Sequence, residues 1–241
     1  MSNGPTAIIL VGGLGTRLRA LYPDRPKALV PIKERPFIAW MLDWLRAHGV
    51  ERAHLAAGHL AGLLVDWAKE LNNPNITVSR EPQALGTGGG LLYATQFVPD
   101  RELLVLNGDS FLPSLALRDW LAQPLSDELA GVLAVTRIES PGRYGTVEFS
   151  EDGRIGAFFE KAERPSGWVN GGVYRLRRSA LDGYSEERNF SLETDVFPAL
   201  AQAGALCAQK TPEPLLDMGT PEGILAMERW LDAHPEFFNV L

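Results

Sequence analysis

The chain has 241 residues, 45% of them hydrophobic and 22% charged, with a formal net charge of −7. That is the composition of one substantial globular unit, and it excludes a basic nucleic-acid-binding face, because phosphate backbones call for clustered positive charge. No apolar run reaches membrane-spanning length, residues 1–5 lack the basic and apolar stretches of a signal peptide, and the single Cys207 rules out an internal disulfide and fits a packed thiol in a reducing cytoplasm.

In chain order, residues 6–11 read as a buried strand that includes Leu10 and feeds a turn of Gly12, Gly13, Leu14, Gly15 and Thr16, followed by Arg17. Glycines let main-chain N–H groups approach a ligand closely, and such groups ahead of a helix suit phosphate. Arg17 adds a planar donor fork, and Lys27, within Pro26-Lys27-Ala28-Leu29, a point charge. The spacing is not G-x-G-x-x-G, since Leu18 stands at the third glycine, nor a P-loop, since no Gly-Lys-Ser/Thr follows. Residues 36–47 show helical spacing, starting at Pro36 and stopping before Gly49; Phe37, Trp40 and Trp44 on this helix are core or interface. Residues 53–57 form a short strand ending at Gly58, and residues 60–71 a helix with Leu63, Leu64, Trp67 and Leu71 on one side.

Residues 76–79 make the next strand, followed by Glu81 and the run Gly86-Thr87-Gly88-Gly89-Gly90. So many glycines are costly in a helix unless close approach is needed, which predicts a helix start packed against a planar ligand. Residues 103–106 are a buried strand running into Asn107, Gly108 and Asp109. A carboxylate beyond the carboxyl end of an α/β strand is placed to hold a hard cation together with substrate phosphates. Alternating strands and helices predict a mostly parallel sheet covered on both faces.

The second half changes character. Residues 131–137, 145–149, 155–160 and 168–176 are strand candidates between Gly/Pro turns, and residues 192–203 and 221–233 are helices. A more antiparallel portion, about 128–241, therefore forms the other wall of a cleft whose nucleotide-binding core is about 1–127, all within a single domain. Asp217 ends an apolar run ahead of Pro221 and is either a second cation ligand or an N-terminal helix cap. Tyr144-Gly145 opens a strand; Glu160-Lys161 offers a carboxylate and an ammonium, or a surface ion pair; Asn170-Gly171-Gly172 offers an amide and exposed backbone, or a β-bulge. The four histidines are scattered, which argues against zinc.

Residues 12–18, followed by Pro26-Lys27, match the signature G-G-x-G-T-R-L and P-K, and the chain resembles the sugar nucleotidylyltransferases from Ala7 to about Met227. The resemblance implies a Rossmann-like core with a smaller antiparallel sugar-binding portion, and a reaction of an NTP with a sugar 1-phosphate giving NDP-sugar and pyrophosphate. It implies nucleotide contacts from Leu10, Gly12, Gly13, Leu14, Gly15, Thr16, Gly58, Glu81, Gly86, Thr87, Asn107 and Gly108. Arg17, Lys27, Asp109 and Lys161 become catalytic, Asp109 and Asp217 hold Mg²⁺, and Tyr144, Gly145, Glu160, Lys161, Asn170 and Gly171 hold the sugar phosphate. The sugar phosphate is already anionic, so catalysis is positioning and charge neutralisation, with no general base.

Gln83-Ala84 and Gly88 depart from the family's E-x-P-L-G-T-A element and leave the base open. Arg143-Tyr144-Gly145, Asn170-Gly171-Gly172-Val173-Tyr174 and Phe190-Ser191-Leu192-Glu193 are most similar to the D-glycero-D-manno-heptose 1-phosphate guanylyltransferases. Mannose-1-phosphate guanylyltransferases and N-acetylmuramate 1-phosphate uridylyltransferases compete. An inactive nucleotide-sugar sensor could drop any of Arg17, Lys27, Asp109 and Asp217, all retained here. A homo-oligomer stays open.

Overall fold

In the computed structural model, residues 4–13, 17–18, 20–139, 141–142, 144–159, 165–185, 188–235 and 237 are described. The apolar run at Ile8-Ile9 forms β1 (Ala7–Leu10), flanked by parallel strands on both sides, as suits β-branched residues buried on both faces. A short hairpin of β2 (Pro31–Ile32) and β3 (Arg35–Pro36) leads into α1 (Phe37–Ala47). The alternating half continues through β4 (Ala53–Ala57), α2 (Ala61–Glu70), β5 (Ile76–Arg80), α3 (Gly86–Ala94) and β6 (Glu102–Asn107). After β7 (Ser110–Phe111) and α4 (Leu117–Ala122) come β8 (Gly131–Glu139), β9 (Thr146–Phe149), β10 (Ile155–Phe159) and β11 (Ser166–Arg177). The chain ends in α5 (Phe197–Gln202), β12 (Leu206–Thr211), β13 (Leu216–Asp217) and α6 (Pro221–Ala233).

Among the described residues, nine of these strands form one sheet in the order β10-β9-β11-β6-β1-β4-β5, with β8 beside β11 and β12 beside β8. The strands β6, β1, β4 and β5 are mutually parallel, whereas β11 runs antiparallel to β6, β8 and β9. The expected change from parallel to antiparallel pairing thus occurs at β11, inside one continuous sheet. Apolar side chains cover both faces. Phe37, Trp40 and Trp44 of α1 pack with Leu55 and Leu106 on one side, so these aromatics are core. Val105, Tyr174 and Phe197 pack with Leu91 of α3 on the other.

Three expectations are corrected. On α2 only Leu64 of the supposed stripe is fully buried, while Leu63 and Leu71 are each 42% exposed, because the helix covers the sheet at its β5 edge and has few neighbours. Residues 192–203 are not one α-helix: a π-turn, Leu192–Val196, precedes α5, and Ser191 caps the turn by accepting from the N–H groups of Glu193 and Thr194. Cys207 is half-buried in β12 rather than fully packed, and burial raises its pKa.

Candidate active site

A cleft of about 340 Å³ opens at the carboxyl ends of β1 and β6, where ligands of open α/β sheets bind. Leu10, Gly12 and Gly13 line it from the β1 side, Asn107, Gly108 and Asp109 from the β6 side, and Glu81, Gly86, Thr87 and Lys27 complete the wall. The two strand ends are stitched together by the Gly108 N–H donating to the Leu10 carbonyl at 2.9 Å. A side chain at 108 would run into Val11 and that carbonyl, so glycine is required for the approach. Gly58 packs behind Gly12 and stays outside the lining.

Asp109 and Asp217 are brought together by a miniature sheet. β7 and β13 pair antiparallel with Asp217 opposite Ser110, and the Met218 N–H donates to the Asp109 carbonyl at 2.7 Å. The Lys27 ammonium donates to Asp109 Oδ2 at 3.0 Å and lies against Gly219, whose own N–H donates to Asp217 Oδ1 at 2.7 Å. Asp217 is not the helix cap: Thr220 caps α6, accepting from the Gly223 N–H at 3.2 Å. The Tyr144 hydroxyl donates to Asp217 Oδ2 at 3.1 Å, which places this predicted sugar-site residue against a carboxylate. Both carboxylates are partly exposed, Asp109 in the cleft lining and Asp217 beside it, and they make the oxygen donor set that a hard divalent cation takes alongside phosphates.

Glu81 reaches into a space left by glycines. A Cβ at Gly12 or Gly90 would stand 2.7 or 2.6 Å from its Oε1. Burial raises the Glu81 pKa above its ordinary value, and the Leu85 N–H, 3.3 Å from Oε2, offsets this only in part. The glycine run of α3 is therefore explained by protein packing and not by a planar ligand: Gly88 faces the Phe190 ring, Gly89 the Arg188 carbonyl and Gly90 the Glu81 carboxylate. Only the start of α3, Gly86 and Thr87, borders the cleft.

Residues 6–232 match the family described as nucleotidyl transferase. The chain belongs to that family. D-glycero-alpha-D-manno-heptose 1-phosphate guanylyltransferase of Campylobacter jejuni is 34% identical over 188 residues, covering 78% of this chain and 82% of the relative. Mannose-1-phosphate guanylyltransferase 1 of Arabidopsis thaliana is 34% identical over 94% of this chain, which spans 65% of that relative's length. The crystal structure of HddC from Yersinia pseudotuberculosis complexed with GMP-PN superposes with a TM-score of 0.83 at 27% identity, over 94% of this chain and 99% of that one.

In this nucleotidyl transferase the other predicted residues do not share one environment. Leu14, Gly15, Thr16, Glu160 and Lys161 lie outside the described residues. Arg17 is exposed and not part of the cleft lining. Asn170 and Gly171 sit at a β-bulge, where the pairing of β11 with β8 shifts register before Tyr174. The Asn170 side chain locks this bulge, its Oδ1 accepting from the Gly172 N–H at 2.9 Å and its Nδ2 donating to the Tyr174 hydroxyl at 3.0 Å. Gly171 does not present open backbone to the cleft; the space beside it is filled by Leu112. Gly145 lies against the Phe159 carbonyl, 2.9 Å from where its Cβ would stand. Thr87 lines the cleft, but its hydroxyl is already committed, donating to Glu193 Oε2 and accepting from the Leu192 N–H. Ala84, Leu85 and Asn189 also line the cleft and were not predicted. The Glu193 and Ser191 partners of Thr87 could have been suspected from Phe190-Ser191-Leu192-Glu193, a motif that carried the family likeness without a role.

Proposed function

We propose that this chain transfers the guanylyl group of GTP to a sugar 1-phosphate of manno configuration and releases pyrophosphate. The observation that carries this reading is the pairing of β7 with β13, which sets Asp109 and Asp217 beside Lys27 at the mouth of a glycine-floored cleft. The names of the Campylobacter and Arabidopsis relatives and the GMP-PN complex of HddC support guanine and a manno-type sugar. Glu81 supports guanine independently. Its carboxylate is acceptor-only and matches the adjacent N1–H and 2-amino donors of guanine, whereas uracil flanks its one N–H with carbonyl oxygens.

In the reaction an oxygen of the sugar phosphate attacks the α-phosphorus of GTP, the bond from that phosphorus to the bridging oxygen breaks, and pyrophosphate departs. Lys27 neutralises charge developing at the α-phosphate. Arg17, exposed outside the cleft lining, would fold inward onto the departing pyrophosphate beside the backbone of residues 12–16. Lys161 holds the sugar phosphate, and Glu160 and Asn170 orient the ring. Asp109 and Asp217 would hold Mg²⁺, which when bound supplies charge neutralisation at the phosphates. The lone cysteine and the need for GTP suit a cytoplasmic enzyme making an activated sugar for cell-envelope polysaccharide.

The test is pyrophosphate release measured over a matrix of GTP, ATP, UTP, CTP and dTTP with mannose, manno-heptose, glucose and N-acetylmuramate 1-phosphates. GTP with a manno-configured sugar is expected to give the highest kcat/KM. A best pair containing UTP overturns the guanylyl assignment, and silence across the matrix overturns the reaction.

A further inference from the structure

Glu193 is a carboxylate that the proposed reaction leaves without a task. It stands on the π-turn ahead of α5, with its Oε2 anchored by the Thr87 hydroxyl at 2.6 Å and the Ser191 hydroxyl at 2.8 Å. Its Oε1 accepts no hydrogen bond, and no cation pairs with the carboxylate, among the described residues. A structural brace between Thr87 and Ser191 needs only two neutral acceptor lone pairs; a full negative charge with one oxygen left open is more than that task asks.

Two observations fix where this carboxylate lies. Thr87, in hydrogen-bond contact with it, borders the nucleotide cleft. On the other side stands Tyr174, fully buried in the cluster that holds Leu192 and Phe197, its ring 5.0 Å from that of Phe197; burial first, and then the charge of Glu193, raises its pKa. The Tyr174 hydroxyl accepts from the Nδ2 of Asn170, the amide that locks the bulge of β11. Glu193 thus stands one hydrogen bond behind the cleft wall, between the start of α3 and the bulge of β11.

We propose that Glu193 is a specificity-determining residue whose open Oε1 accepts a hydroxyl of the sugar ring. The assignment rests on the transferase reading and deepens it by naming what selects the sugar. A carboxylate fixed at one oxygen and open at the other demands an O–H at one ring position and leaves an unmet acceptor when that hydroxyl is missing.

The experiment uses the full chain with GTP and whichever of mannose 1-phosphate or manno-heptose 1-phosphate it turns over. The same sugar's monodeoxy analogues are run alongside, comparing wild type with Glu193→Gln and Glu193→Ala. Glutamine keeps an oxygen for Thr87 and Ser191 and puts an amide in place of Oε1. Wild type should lose about 10- to 100-fold in kcat/KM on one monodeoxy analogue. Glu193→Gln should show a loss of that size on the parent sugar, mostly in KM, and no further loss on that analogue, with unchanged affinity for a GTP analogue. Equal losses across all analogues in both variants, or none, overturn the Glu193 assignment and leave the transferase reading standing. Absence of pyrophosphate from the wild type overturns both.

Discussion

Lys27 and Asp109 form a half-buried pair beside Asp217, so three charges of the proposed reaction sit within one small volume before any substrate arrives. Replacing either aspartate by asparagine keeps the shape and removes a charge that a divalent cation needs. Asp109→Asn and Asp217→Asn are each expected to lower kcat/KM by about 10²–10³-fold, roughly 3–4 kcal/mol of transition-state stabilisation, and to require more Mg²⁺. Steady-state assays over a Mg²⁺ titration check this, and near-wild-type turnover in either variant removes that side chain from the mechanism. Glu81 carries a second prediction. Burial holds its pKa above 4.5, and only the ionised form accepts both guanine donors. Affinity for a non-hydrolysable GTP analogue should therefore fall as pH drops, with a midpoint above 4.5. Glu81→Gln should bind more weakly and show no such midpoint. A pH-independent wild-type affinity between 7 and 4.5 would separate Glu81 from the base.

At the scale of elements, α3 shows how a residue pattern can be read correctly as unusual and wrongly as to cause. A glycine run in a helix does signal close approach, yet the approaching groups are Phe190 and Glu81, from segments that local spacing cannot place. Alanine ordinarily stabilises an exposed helix position relative to glycine by about 1 kcal/mol. At Gly88 the sign should reverse, because the new Cβ would run into the buried ring of Phe190. Gly88→Ala is expected to cost about 1–3 kcal/mol, as read by denaturant midpoints, whereas Gly90→Ala should weaken GTP-analogue binding by displacing Glu81, as read by titration. Gly62 of α2 has open space beside it and serves as the control, where alanine should be neutral or stabilising. Strand β4 carries a separate test. His54 is fully buried, with its ring nitrogens 2.8 Å from Thr77 Oγ1 and 2.9 Å from Ser79 Oγ, and burial lowers its pKa from 6.5 to about 4. The neutral ring is the folded form, so its stability is intact above pH 6.5. It is lost as pH falls from there towards 4, because the unfolded chain takes up the proton first. The loss should total roughly 3 kcal/mol, and a His54→Gln variant should lack that slope in denaturation series between pH 7 and 4.5.

Across the whole molecule, what was legible in the sequence was local. Strand β1, Asp109 after β6 and the alternation of the longer strands and helices from β1 to β6 follow from period, composition and punctuation, whereas α4 and β12 were not read. What stayed hidden were pairings between distant segments: a two-residue ladder setting Asp217 opposite Ser110, the Tyr144 contact to Asp217, and the Thr87 bond to Glu193 some 106 positions away. Ladders that short have no periodicity to read, and their partners are chosen by the sheet that carries them. The same topology has a thermodynamic consequence. Asp109 follows β6 in the parallel core, whereas Asp217 belongs to the C-terminal segment ahead of α6, and in the unfolded chain the two carboxylates are far apart. A divalent cation held by both binds the folded state alone and stabilises it by mass action, most strongly when nucleotide phosphates share it. With Mg²⁺ and a GTP analogue near a hundred times their dissociation constants, the gain is about 2.7 kcal/mol, or roughly 5–10 °C in Tm for a chain of this size. Excess chelator should remove the metal-dependent part and leave the increment due to nucleotide alone. Asp217→Asn should respond to nucleotide but lose the extra step on adding Mg²⁺. If the wild type melts at one temperature with nucleotide and chelator and with nucleotide and Mg²⁺, the two aspartates do not share a cation.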